Sequence, residues 1–275
     1  MISCRPITIS ATYVLALSAI AWGQQSQPAS RPAAQTQPVM KFKAGEEARF
    51  DLPKSKRAAV LYVPKDYKAD RDWPLIVNYP FFGGTASTSP FKQITGGTGF
   101  VILGMNYATK EYGQTLKLDF LPAEKEQFTE AMELVSRSVR IDPRKVFMGG
   151  VSQGGYSTTI LGEAMLDRLA GLCILCAGRS YVEKLPPDSK VITGKPIFIG
   201  TGQKDTVHYP RATKAAKTYE KWGAKVTLEE WPDCGHDVDF KKTGLLDWLI
   251  ANTKDEPTTN KGNAAAEVGA PGKGP

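Results

Sequence analysis

The serine at position 152 has the setting that most clearly predicts chemistry in this chain. It lies in the heptapeptide GGVSQGG (149–155), between an apolar run that suits a β-strand and a run that suits a helix. A serine on such a strand-to-helix turn projects clear of the backbone, and small neighbours let other segments approach it. This setting predicts that Ser152 is a nucleophile that forms a covalent intermediate with a substrate carbonyl.

An aspartate and a histidine follow later apolar runs in the same way. Asp205 comes after the run 196–200, and His236 comes after the run 225–231. A serine nucleophile needs a general base, and the base needs a carboxylate that orients its ring. The chain order Ser, Asp, His therefore predicts that Asp205 orients His236, and that His236 takes the proton of Ser152.

The chain contains two histidines, so the general base is either His208 or His236. His208 lies on the same loop as Asp205, whereas His236 lies on a separate loop that can reach Ser152 while Asp205 orients the ring from behind. We therefore favour His236. The alternative for Asp205 is an ordinary turn or cap residue, a common role for an aspartate before threonine.

The cysteines and histidines form no recognisable metal motif. Cys173 and Cys176 have the CxxC spacing, but both lie in an apolar run, 172–176, that predicts a buried strand. Residues three apart on a strand point to opposite faces, so a disulfide between them has poor geometry, and a disulfide to Cys234 stays open. With two histidines and no second CxxC, we expect no metal site and no cofactor.

Eight apolar runs predict strands, and helical patterns separate most of them. The first two runs, 48–52 and 58–63, predict an antiparallel pair. The others suit strands buried on both faces and are 74–79, 100–106, 145–150, 172–176, 196–200 and 225–231. Helical patterns cover 122–139, the run after Ser152, 210–222 and 241–252. This alternation predicts an α/β fold with a mostly parallel, doubly wound, eight-stranded sheet, whose carboxyl edge would gather the reactive residues.

The two ends of the chain differ in composition from its middle. Residues 1–23 carry Arg5 and no acid, continue through a short apolar stretch and end in small residues, which predicts a secretory signal peptide. Residues 24–39 and 253–275 have compositions that cannot bury a core, which predicts a disordered linker and a disordered tail. We therefore expect a secreted or periplasmic protein with one folded domain over 40–252.

Two other functions are suggested by composition. The apolar stretch near the N-terminus could be a membrane anchor, and the net positive charge could indicate a nucleic-acid partner. The apolar stretch is shorter than the roughly 20 residues that a spanning helix needs, so we expect no stable membrane insertion after signal cleavage. The formal charge is +7, but the lysines and arginines are scattered among acids. This pattern indicates a solvated surface and predicts no nucleic-acid partner.

These segments resemble the serine esterases of the α/β-hydrolase superfamily. GGVSQGG (149–155) is similar to the nucleophile segment of the carboxylesterase and phospholipase group, and segments 140–157 and 200–236 resemble secreted polyhydroxybutyrate depolymerase and feruloyl esterase-type enzymes. The resemblance covers roughly 74–248. It implies the α/β-hydrolase fold, and hydrolysis of carboxylic esters through an acyl-enzyme on Ser152.

The resemblance also implies two backbone N–H groups that bind the oxyanion. One belongs to Gln153, the residue after the nucleophile. The other comes from the loop after the strand 74–79, where the family's usual HGxGG is replaced by PFFGG (80–84). By that alignment the second donor is the amide of Phe82. The rings of Phe81 and Phe82 either pack in the core or form an aromatic wall of the acyl or alcohol pocket.

The segment 177–195, where this superfamily often inserts a lid, is too short for a large cap domain. An open site suits either a small soluble ester or the ester groups of a polymer. Two other functions stay open. One is an exported serine peptidase of the prolyl-oligopeptidase type, which shares the triad and a similar QKDT segment. The other is a ligand-binding α/β-hydrolase without catalytic activity, which the altered PFFGG loop would favour.

Overall fold

A mostly parallel sheet organises the protein, which a computed structural model describes over residues 40–179 and 188–254. Within those residues the strands are β1 Glu47–Asp51, β2 Ala58–Tyr62, β3 Trp73–Tyr79, β4 Val101–Gly104, β5 Ile141–Val151, β6 Gly171–Leu175, β7 Pro196–Gly202 and β8 Lys225–Trp231. Their order in the sheet is β1-β2-β4-β3-β5-β6-β7-β8. Strand β2 pairs antiparallel with β1 and β4, and every later pairing is parallel.

Helices cover both faces of this sheet. They are α1 Phe91–Ile94, α2 Lys110–Thr115, α3 Leu121–Ser138, α4 Gln153–Glu163, α5 Ser189–Ile192, α6 Tyr209–Lys221 and α7 Leu245–Ala251. Buried residues of α3, α4 and α6 belong to one apolar cluster, and buried residues of α1 and α7 belong to another. The sheet separates the two clusters, so the arrangement is doubly wound as predicted.

Strand β3 illustrates why these runs form central strands. Leu75 and Val77 belong to one cluster, whereas Ile76, between them, belongs to the other. Because side chains alternate across a sheet, an uninterrupted apolar run buries both of its faces only when helices cover both sides. The expected antiparallel opening pair and the expected parallel sheet are confirmed, with strand bounds that shift by at most four residues.

The cysteines follow the prediction only in part. Cys173 and Cys176 are buried and, with Cys234, unpaired with any cysteine of the described residues. The assumption that both lie on one strand is wrong, because β6 ends at Leu175. Cys176 then adopts a left-handed conformation with φ 49° and packs in the same apolar cluster as Cys173.

Several sequence predictions concern residues that the structure does not describe. The signal peptide (1–23), the linker (24–39) and the tail beyond Lys254 lie outside the described residues, as does part of the connection 177–195. Among the described helices, no helix combines the length and the apolar character that a membrane span needs.

Candidate active site

Ser152 lies on a sharp turn between β5 and α4. Its backbone has φ 56° and ψ −119°, in the region that residues with side chains rarely adopt. The glycine two positions later makes the turn possible: a Cβ on Gly154 would lie 2.2 Å from the Tyr79 carbonyl oxygen. Only a residue without a side chain lets α4 begin this close to the end of β3. The GxSxG spacing thus has a packing reason at this site.

The structure brings Ser152, His236 and Asp205 together in one chain of hydrogen bonds. His236 Nε2 lies 2.8 Å from Ser152 Oγ, and His236 Nδ1 is hydrogen-bonded to Asp205 Oδ2. Strand β5 supplies the serine, the loop after β7 supplies the aspartate and the loop after β8 supplies the histidine. In this arrangement Nδ1–H donates to the carboxylate, which leaves Nε2 to accept the serine proton.

Asp205 is held as a carboxylate. Burial by itself would raise the pKa of its carboxyl group, but hydrogen bonds from the His208 amide and the His236 ring hold that pKa below its ordinary value. The amides of Val207 and His208 donate to Oδ1 at 3.2 and 2.9 Å. Because these two amides bind Oδ1, the other oxygen, Oδ2, is the one that bonds to His236. The carboxylate can therefore orient the ring and stabilise its charged form.

The loop that carries His236 is anchored by two thiols. Cys176 Sγ and Cys234 Sγ lie 3.0 and 3.3 Å from the carbonyl oxygen of Asp237, the residue after the histidine. Burial raises the pKa of Cys176 to about 12, so its thiol keeps the proton that it donates. These contacts tie the histidine loop to the residue that follows β6.

Two backbone amides can serve the oxyanion. The Gln153 amide begins α4, where a helix leaves its first N–H groups without an intrahelical acceptor. Across the described residues, no hydrogen bond within the protein uses the Gln153 or Phe82 amide. Gln153, Phe82 and Ser152 line the same cavity of about 220 Å³. The structure thus places both predicted donor residues beside the nucleophile.

Aromatic rings form walls of two cavities beside Ser152. Phe81 and Phe82 are 61% and 65% exposed, so the alternative that they pack in the core is wrong. Phe82 lines the smaller cavity, together with Gln114, Thr115, Leu116, Ser152, Gln153, Tyr156 and His208. Phe81 lines a second cavity of about 300 Å³, together with Tyr79, Val151, Val238, Phe240 and other residues. Ser152 itself lines the smaller cavity, and its neighbour Val151 lines the second one.

Sequence reasoning missed helix α2, which supplies one wall of the smaller cavity. Six residues are too few to show a helical period, although Thr109 is a recognisable cap: its side chain accepts a hydrogen bond from the Tyr112 amide at 3.0 Å. Gln153 Nε2 donates to the Gly113 carbonyl, so this short helix is tied to the nucleophile turn. The sequence offers His208 as the alternative base but does not show its contact with His236. The two rings stack, with centroids 4.3 Å apart and an angle of 27° between their planes.

Asp205, His208 and His236 each place one potential metal-ligand atom within 4.8 Å of the others. Ligands of a zinc ion point at one centre about 2 Å away. The two rings are stacked, with 27° between their planes, so their lone pairs lie in separate planes and do not converge on one centre. Metal binding would require one ring to rotate and to break its hydrogen bond with Ser152, Asp205 or Tyr156.

Comparisons with known proteins give a fold. No protein-family sequence model and no curated protein sequence matches the chain. Solved structures do match: Est1E from Butyrivibrio proteoclasticus is 15% identical with a TM-score of 0.54, covering 75% of this chain and 98% of that one. A carboxylesterase from Bacillus cereus is 16% identical with a TM-score of 0.56, covering 70% and 93%. This chain has the α/β-hydrolase fold.

A third match is a ferulic acid esterase from Anaeromyces mucronatus, 12% identical with a TM-score of 0.55, which covers 79% of this chain and 92% of that one. The expected α/β-hydrolase fold is therefore confirmed. Because all three identities are below one fifth, the likeness concerns backbone architecture, and the activity has to be argued from the site.

Proposed function

We propose that this protein is a serine hydrolase that cleaves carboxylic esters. The observation that carries the proposal is the chain of hydrogen bonds from Asp205 through His236 to Ser152, which lines one cavity and adjoins Val151, a residue of a second. The similar solved structures named as esterases have the same fold, and this supports the proposal.

The reaction would proceed in two halves. His236 takes the proton of Ser152 as Oγ attacks the ester carbonyl, and gives it to the departing alcohol. Water then repeats the attack on the acyl-enzyme and releases the acid. Asp205 holds the ring and stabilises the imidazolium, while the amides of Gln153 and Phe82 donate to the oxyanion. Each such donor contributes roughly 10²- to 10³-fold in rate.

The two cavities would hold the acyl and alcohol parts of the ester. Their exposed aromatic walls suit an apolar group, and the opening to solvent suits either a small soluble ester or an ester group borne by a polymer. We also propose that the protein acts outside the cytoplasm, on the strength of the signal-like residues 1–23. Sequencing the N-terminus of protein recovered from the medium or periplasm of an expressing bacterium tests that part.

Active-site labelling with a fluorophosphonate tests the activity. We expect labelling of Ser152 in the native chain and none in Ser152→Ala. Hydrolysis of nitrophenyl esters of graded acyl length, compared with peptide amides, then separates an esterase from a peptidase. A native chain that neither reacts with the probe nor cleaves any ester would instead indicate a binding protein and would refute the proposal.

A further inference from the structure

His208 contacts two members of the proposed triad and the helix that begins after the third. Its amide donates to Asp205 Oδ1 at 2.9 Å, and its ring stacks on that of His236. Its Nδ1 lies 2.9 Å from the hydroxyl of Tyr156, which lies on α4 one turn after Ser152. His208 thus contacts the loop that carries Asp205, the ring of His236 and helix α4, which begins after Ser152. The two-step reaction described above assigns it no role.

The hydrogen bond with Tyr156 favours one tautomer of His208. The Arg211 guanidinium lies 3.5 Å from the same phenol oxygen, and an arginine can only donate. The phenol oxygen accepts on the Arg211 side, and its own proton is available for donation to His208 Nδ1. A ring that accepts at Nδ1 carries its proton on Nε2 and is neutral.

The surroundings also disfavour a charged His208. Burial lowers the pKa of His208 below its ordinary value; Asp205 opposes this effect, whereas His236 and Arg211 reinforce it. The ring is therefore neutral at neutral pH. A neutral aromatic face attracts a cation, and His236 becomes a cation each time it takes the proton of Ser152.

His236 needs such a support because its side chain is 41% exposed. Two hydrogen bonds fix where its nitrogens point, but they leave the ring free to tilt around the line that joins them. A flat ring 4.3 Å away restricts that tilt. Tyr156 is buried and holds the supporting ring in place.

We propose that His208 is a positioning residue: its neutral ring, held by Tyr156, supports His236 face to face and stabilises it in the orientation that accepts the proton of Ser152. This inference rests on the proposed function. It adds a fourth side chain to the machinery, and it explains why a second histidine lies beside the first.

A matched pair of variants separates support by a flat ring from simple filling of space. His208→Phe keeps a flat neutral ring, whereas His208→Leu keeps the bulk without the flat face. Two rates are measured for each: phosphonylation of Ser152 by a fluorophosphonate, and kcat with KM for a nitrophenyl ester. We expect His208→Leu to lose about 10- to 100-fold in both rates, as misplaced catalytic groups do, with KM within about 3-fold. His208→Phe should stay within about 5-fold of the native chain.

A third variant, Tyr156→Phe, keeps both rings and removes the hydroxyl that holds His208. We expect a loss in kcat of about 3- to 5-fold, as in His208→Phe, because both variants lose the same hydrogen bond and keep both rings. KM should be unchanged, and thermal unfolding of each variant shows that the fold is kept. A loss of the same size in His208→Phe and His208→Leu, or a native rate in His208→Leu, would overturn the inference. A native Tyr156→Phe rate would overturn the role of Tyr156. If the native chain itself does not react, the proposed function fails and this inference fails with it.

Discussion

The two loops that carry the proposed oxyanion donors are held in very different ways. The nucleophile turn lies between β5 and α4, with buried chain on both sides, and Gly154 packs directly on the carbonyl of Tyr79. The PFFGG loop (80–84) carries two exposed rings. Its hydrogen bonds include one from the Gly84 amide to the Phe81 carbonyl, at 2.9 Å, and one from the Tyr107 hydroxyl to the Pro80 carbonyl, at 2.6 Å.

Under the proposed function, one catalytic step depends on both of these loops. The nucleophile turn is part of the sheet, so changes there should affect stability and activity together. The PFFGG loop lies at the edge of the core, so changes there should affect activity with little effect on stability. Each of the following experiments would break or sharpen this contrast.

Removal of the nucleophile should have the largest effect. Ser152→Ala should lower kcat for ester hydrolysis by about 10⁴- to 10⁶-fold, because the residual rate comes from binding and the oxyanion donors. The variant should melt at or above the native temperature. Among the described residues, the hydrogen bond given for Ser152 Oγ is to the exposed side chain of His236, so its loss removes no buried contact. A variant that keeps a tenth of the native rate would mean that another residue is the nucleophile.

Deletion of the Phe82 amide should come next. Phe82→Pro removes the N–H and should lower kcat by about 10²- to 10³-fold, as loss of one oxyanion donor does. Phe82→Ala is the matched control, because it removes the ring and keeps the amide; we expect a loss of less than about 5-fold in kcat. Equal losses in the two variants would place the second donor elsewhere.

A methyl group on Gly154 tests the rigidity of the nucleophile turn. Gly154→Ala should cost about 3 kcal/mol in the free energy of unfolding, because the new Cβ would meet a backbone oxygen at 2.2 Å. Gly83→Ala is its counterpart in the PFFGG loop: φ is 72° there and no atom lies within 4 Å of the new Cβ. It should cost about 1 kcal/mol, from backbone strain. Urea unfolding of both variants gives the comparison, and equal costs would contradict the contrast.

The buried carboxyl of Glu124 gives a pH-dependent effect. It accepts the amides of Ala108 and Thr109, next to the Tyr107 that supports the PFFGG loop, and burial raises its pKa from 4.5 to about 7. The unfolded chain therefore releases this proton at lower pH than the folded one. The free energy of unfolding should fall as pH rises from about 4.5 to 7, by about 2 kcal/mol between pH 5 and 7.

Glu124→Gln should remove that slope, and the exposed Glu126→Gln on the same helix should leave it in place. Urea unfolding at several pH values measures both variants. If the Glu124→Gln variant keeps the native slope, another buried group is responsible for it.

The central strands and the long helices were predictable from the sequence because each depends on a local pattern. The side chains of runs such as 74–79 and 196–200 alternate between two buried faces of the sheet. Such a continuous apolar run can be recognised as a buried strand without knowing which strands lie beside it. The order Ser152, Asp205, His236 was predictable as well, because parallel strands put their carboxyl ends on one edge. The short helix α2 was not predictable, since six residues show no period.

Other features became visible only after the chain was folded. Glu124 lies in a segment whose pattern predicts an amphipathic helix, and its burial arises because the backbone of 108–109 packs over it. The exposure of Phe81 and Phe82 is likewise decided by where the PFFGG loop runs. His208 was set aside as the base in favour of His236, and the structure adds that the two rings stack.

The amino-acid sequence alone was enough for the fold class and for a set of candidate reactive residues, because both depend on hydrophobic period and on the order of strand ends. The tertiary structure decided the distances among Ser152, His236 and Asp205, the two cavities and the stacked pair of imidazoles. Contacts of that kind join residues that lie far apart in the chain. Their geometry depends on how the whole sheet and its loops pack, and no local pattern encodes it.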